Sequence, residues 1–89
     1  DAYTDWCGPC KRMAATTFQD PEVGEFFNKN FVNMKVEMEK DVDGVEIAKR
    51  YRVSAYPTLL IIDGNGSLVK SVIGFKTKAQ LMAIAESVL

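Results

Sequence analysis

Histidine is absent from this chain, and cysteine occurs only twice, at Cys7 and Cys10. Without histidine there is no Cys–His nucleophilic pair, no Ser–His–Asp triad and none of the common zinc sites. Two cysteines cannot close a tetrahedral zinc site alone; carboxylates or a second chain would have to complete it. Long apolar runs are missing too, since the stretch around Thr58–Ile62 is far too short to span a bilayer. Charge of one sign is not in excess: 11 Lys+Arg face 12 Asp+Glu, for a net charge of −1. That balance recommends neither nucleic acid nor an anionic membrane as a partner. Repeats, low-complexity tracts and linkers are also lacking. The 89 residues, 47% apolar and 26% charged, therefore read as one small globular domain, 1–89.

What is present is concentrated in Trp6-Cys7-Gly8-Pro9-Cys10-Lys11. A disulfide closed across two intervening residues would restrain almost nothing, because loop-closure entropy grows with loop length. The pair therefore reads as reactive rather than structural. Pro9 suits a helix start, and a helix beginning here aims unpaired N–H groups and its positive dipole end at Cys7. Thiolate is favoured over thiol in that position, so Cys7 is the expected nucleophile. Cys10, one turn inside the helix and expected to be the less exposed, would resolve the mixed disulfide that Cys7 forms.

Asp1–Asp5 looks like the tail of a strand. Met13, Ala14 and Phe18 continue a helical stripe from Cys7, weakened near its end by Thr16-Thr17. Asp20-Pro21-Glu22 opens a second helix with Val23, Phe26 and Phe27 on its apolar face, ending at Asn28-Lys29-Asn30. Phe31–Met38 reads as a strand with Val32, Met34, Val36 and Met38 on one face. Asp43 with Glu46 forms a capping-box pattern for a helix through Tyr51, with Val45, Ile47, Ala48 and Tyr51 as contacts. Thr58–Ile62 is an unbroken apolar strand expected to be buried on both faces. Asp63-Gly64-Asn65-Gly66 marks a hairpin turn, Leu68–Ile73 the return strand. Thr77 with Gln80 caps a last helix that presents Leu81, Met82, Ile84, Ala85, Val88 and Leu89. Alternating elements followed by a hairpin and a covering helix imply an α/β fold, a mixed sheet flanked by helices. Met34, Met38, Phe26 and Phe27 read as core, Lys11 and Arg12 as exposed.

Taken together, Trp6–Lys11, then Tyr56-Pro57-Thr58 before an apolar strand, then Gly74 after the hairpin, resemble the thioredoxin family over the whole chain. The segment Thr17–Val23 is closer in pattern to the C-terminal thioredoxin-like domain of the bacterial membrane disulfide reductase that carries electrons into the periplasm, and to related exported proteins. The family's fold carries a β-α unit and most of a central strand before its Cys-X-X-Cys motif. Only Asp1–Asp5 stand there in this chain, so the expectation is a portion of a longer, N-terminally extended protein.

The resemblance implies reduction of protein disulfides through a Cys7–Cys10 dithiol, by a monomer exported from a bacterium. The partners would be disulfide-containing protein substrates and an upstream dithiol electron donor, with no cofactor and no metal. Gly8 and Pro9 would permit substrate approach and tune redox poise, and Trp6 would cover one side of the disulfide. Pro57 is identified by resemblance as a cis-proline facing the cysteines, with Tyr56 at the rim and Gly74 leaving room in the docking groove. Asp1 stands where the family keeps a buried carboxylate beneath the resolving cysteine, and would accept the Cys10 proton; Lys35 is expected to be a solvated strand residue. The alternatives are a disulfide oxidase or isomerase, a dimeric metal or cluster module sharing Cys7 and Cys10, and a non-catalytic interaction domain.

Overall fold

The computed structural model describes all 89 residues. The elements are β1 (Ala2–Tyr3), α1 (Gly8–Ala15), a 3-10 turn (Thr17–Gln19), α2 (Pro21–Asn30), β2 (Val36–Glu37), α3 (Gly44–Tyr51), β3 (Thr58–Ile62), β4 (Leu68–Ile73) and α4 (Lys78–Ser87). Capping chemistry sets several of these boundaries. The Asp20 carboxylate accepts from the N–H groups of Glu22 and Val23, with Pro21 first in α2. At α4 the capping box is complete: Thr77 accepts from the Gln80 N–H and Gln80 accepts from the Thr77 N–H. The Asp63 side chain accepts from Asn65 and Ser67, closing the β3–β4 turn, and Gly66 takes φ +82° there.

The sheet runs β2–β1–β3–β4. β1 is parallel to β2 and antiparallel to β3, and β3 is antiparallel to β4, so the sheet is mixed as expected. The short β1 is thus an inner strand, hydrogen-bonded on both sides. Met13 of α1, Val23 of α2 and Leu81 of α4 form the buried core, with Phe18, Phe27, Leu59, Phe75 and Met82 packed against it. The core lies directly behind α1 and fixes the helix that carries both cysteines.

Several expectations need correction. The strand over Phe31–Met38 shrinks to Val36–Glu37, because a strand needs a ladder partner and β1 offers two residues. Val32 and Met34 consequently lie in solvent, 94% and 70% exposed, while Glu37 is buried with its carboxylate accepting from the Glu39 N–H. Met38 is buried as expected; Phe26 and Phe27 are half-buried. Asp43 makes no side-chain cap, since its backbone is already in the helical region (φ −84°, ψ −9°) instead of the extended one a cap requires. Val45 is exposed, whereas Ile47, Ala48 and Tyr51 are half-buried. β3 is not fully buried on both faces: Leu59 meets the core and Thr58 is buried, but Ile62 at the end of the strand and Leu68 and Ile73 of β4 are exposed. Leu89 is exposed beyond the end of α4.

Candidate redox-active site

Cys7 is the N-cap of α1. Its backbone is extended (φ −78°, ψ 111°), its N–H donates to the Thr4 carbonyl, and its Sγ accepts from the Cys10 N–H at 3.1 Å. Gly8 and Pro9 are the first two helical residues, and Pro9 has no N–H to leave unpaired in that first turn. This start brings the two cysteines to a Cα separation of 5.2 Å, where they form a disulfide. Both are buried, Cys7 at 3% and Cys10 at 7% exposed, so Cys10 is not the less exposed of the two as expected; they are nearly equal. Cys10 borders a cavity of about 120 Å³ that opens its side of the pair.

Asp1, Tyr3, Thr4 and Lys35 line that same cavity. The Asp1 Oδ1 is buried with no hydrogen-bond partner, as is the Thr4 hydroxyl. Lys35 is exposed, and its ammonium lies 4.8 Å from the Tyr3 ring centroid. It makes no ion pair with the Asp1 carboxylate.

The other wall comes from the downstream strands. The Tyr56–Pro57 bond is cis, and Pro57 is buried. The Gly74 N–H donates to the Pro57 carbonyl at 2.8 Å, tying the end of β4 to the residue before β3. Gly74 adopts φ +94°, a region L side chains rarely enter, and an added Cβ would meet nothing within 4 Å. The space above it is open. Trp6 is 65% exposed and meets Tyr56 edge-on, with centroids 6.1 Å apart. The structure thus brings Trp6, Cys7, Gly8, Pro9, Cys10, Tyr56, Pro57 and Gly74 to one end of the sheet.

Two neighbours were not singled out from the sequence. Trp6 Nε1–H donates to the Glu39 carboxylate at 2.8 Å, and the adjacent Lys40 pairs with Asp5. The Lys40 ammonium holds the Asp5 carboxyl below its usual range, and Asp5 raises Lys40 in return. Both contacts join the pre-cysteine segment to the β2–α3 loop across 33 and 35 residues, a separation at which no local pattern announces them. A larger cleft of about 410 Å³, lined by Arg50, Tyr51, Arg52, Gly66, Ser67 and Leu68, shares no residue with this site.

A disulfide at a helix N-terminus, beside a cis-proline on a mixed sheet, defines the thiol-disulfide oxidoreductases of thioredoxin-like architecture. Residues 2–89 match the family described as a thioredoxin-like domain, and the chain belongs to that family. It is 35% identical over 86 residues to the thioredoxin of Bacillus subtilis, covering 94% of this chain and 74% of that protein. It is 34% identical over 86 residues to the thiol:disulfide interchange protein DsbD of Haemophilus ducreyi. That match covers 93% of this chain but only 15% of the relative's length. Among solved structures it resembles a proposed disulphide-isomerase from Bacteroides thetaiotaomicron (TM-score 0.81, 43% identity, 98% of this chain and 72% of that one). The reduced DsbD C-terminal domain of Neisseria meningitidis is similar too, at TM-score 0.78 and 27% identity, covering 98% and 76%.

Proposed function

We propose that this chain is a single domain, acting as a monomer, that reduces disulfides in protein substrates. The observation that carries the reading is the Cys7–Cys10 disulfide at the N-cap of α1, beside the open groove of Trp6, Tyr56, Pro57 and Gly74. In the reduced protein the Cys7 thiolate attacks one sulfur of a docked disulfide. A Cys7–substrate disulfide forms, and the other substrate sulfur leaves as thiolate. The Cys10 thiolate then attacks the Cys7 Sγ, closing the Cys7–Cys10 disulfide and releasing the second substrate thiolate. Two electrons pass from the protein to the substrate. The Cys10 proton goes to the carboxylate of Asp1, a residue that lines the same cavity as Cys10 and whose Oδ1 is buried and unpaired. An upstream dithiol protein returns the electrons. The likeness to DsbD of Haemophilus ducreyi supports placement outside the bacterial cytoplasm.

The Bacteroides likeness favours a second reading, an isomerase. The reduction potential of the Cys7–Cys10 pair separates the two. A value near thioredoxin's, about −270 mV, supports the reductase, and one near about −180 mV or above overturns it.

A further inference from the structure

Arg12 lies on α1 three and four residues after Pro9 and Gly8, on the helical face those residues share. Its guanidinium stands 5.5 Å from the centroid of the Phe75 ring. Phe75 is itself half-buried against the Met13–Val23–Leu81 core, and it directly follows Gly74, which is hydrogen-bonded to Pro57. The chain of contacts from Pro57 through Gly74 and Phe75 therefore holds an arginine at the groove's edge. Stacking on a ring braces the planar guanidinium without using up its hydrogen-bond donors. Arg12 takes part in none of the protein's ion pairs, which involve Lys40 with Asp5 and Lys78 with Asp20 and Glu22. The carboxylate of Glu39, by contrast, is held by Trp6.

We propose that Arg12, braced on Phe75, is a specificity-determining residue that selects substrates carrying an acidic side chain close to the target cysteine. This rests on the docking groove proposed above but not on the direction of electron flow. A bound peptide running over Pro57 and Gly74 passes within reach of the free guanidinium, which takes a carboxylate with two parallel hydrogen bonds. A basic side chain in that place meets like charge. Arg12 touches neither sulfur, so its effect falls on docking and leaves the exchange chemistry alone.

The test uses matched peptides, each with one disulfide and Glu, Gln or Lys scanned at positions on both sides of the reacting cysteine. Exchange rates are measured in both directions: reduced protein with disulfide peptide, and oxidised protein with dithiol peptide. At one position the Glu peptide should exceed the Gln peptide by about two- to fivefold in kcat/KM, the size of an exposed ion pair, and the gain should fall in KM. Arg12→Gln should bring that ratio to one, Arg12→Lys should keep part of it, and added salt should erode it. A wild-type ratio of one at every position overturns the proposal, as does a ratio that survives in Arg12→Gln. Exchange seen only with oxidised protein overturns the reductase reading instead, while the Glu-to-Gln ratio still decides the role of Arg12.

Discussion

The backbone N–H of Cys10 donates to the Sγ of Cys7 across 3.1 Å, closing the first turn of α1 on the proposed nucleophile. A thiolate gains more from that donor and from the helix dipole than a neutral thiol does. The two cysteines are almost equally buried, so the donor, not access, should set their difference in reactivity. In the reduced protein at neutral pH, iodoacetamide should label Cys7 before Cys10 by about fivefold, following the upper range of the dipole effect. Cys7→Ser should abolish disulfide reduction. Cys10→Ser should accumulate a mixed disulfide visible by mass spectrometry. Equal labelling of the two thiols would remove the N-cap from the explanation.

Trp6 depends on a residue far along the chain. Its indole is mostly solvent-exposed, and what fixes it is the Glu39 carboxylate and the edge of Tyr56. Glu39→Ala should free the ring, lowering the fluorescence anisotropy of the only tryptophan. Reduction of a protein disulfide should slow by about two- to tenfold, the worth of one hydrogen bond. Global stability should change little, because Glu39 is exposed. Unchanged anisotropy would mean that Tyr56 alone holds Trp6.

The parts of the fold that could be inferred from sequence were those whose chemistry is local. Asp20 with Pro21, Thr77 with Gln80 and Asp63 with Gly66 each act within four residues, and all appear in the structure. The cysteine motif belongs with them, because the spacing Cys7–Cys10 is itself one helical turn. Features that depend on distant partners were not visible. Val32 and Met34 alternate like strand residues, yet the ladder ends at Val36 because β1 is two residues long. Glu39 is one of several charges between Met38 and Gly44, and only the fold sets it against Trp6. Asp43 shows that a local pattern can also mislead, since the turn before α3 places it in helical conformation and spoils the cap.

Two glycines in helices should respond oppositely to the same substitution. A Cβ on Gly44 would come within 2.4 Å of the Met38 carbonyl oxygen and 2.8 Å of its carbon, backbone atoms that cannot rotate away. Gly44→Ala should therefore force α3 from the β2 end and cost about 1–3 kcal/mol, as overpacking does. At Gly24, inside α2, an added Cβ meets nothing. Gly24→Ala should stabilise by about 0.5–1 kcal/mol, by reducing the freedom of the unfolded chain. Urea midpoints of both variants check this, and a stabilised Gly44→Ala would show that α3 and Met38 are not in firm contact.

Acid should weaken the junction between α2 and α4. Lys78 reaches the carboxylates of Asp20 at 3.2 Å and Glu22 at 3.3 Å, joining the first turns of the two helices. Burial works to raise the Asp20 pKa, but the Lys78 contact and the Glu22 and Val23 N–H groups outweigh it, and the net shift is downward. A depressed carboxylate stabilises the folded state above its unfolded pKa, about 3.9 for aspartate, and that contribution is lost as pH falls through the lower folded value. Lys78 is raised by Asp20 first and by Glu22 second. Its part is complete below about pH 10 and is lost as pH climbs through the raised value. These are two views of one interaction and count once. Asp20→Asn keeps an acceptor for the α2 cap but removes the charge, so the fall in urea midpoint between pH 5 and 2 should be shallower than in the wild type. A parallel acid limb in both proteins would show that the Asp20–Lys78 pair contributes nothing to the pH dependence of stability.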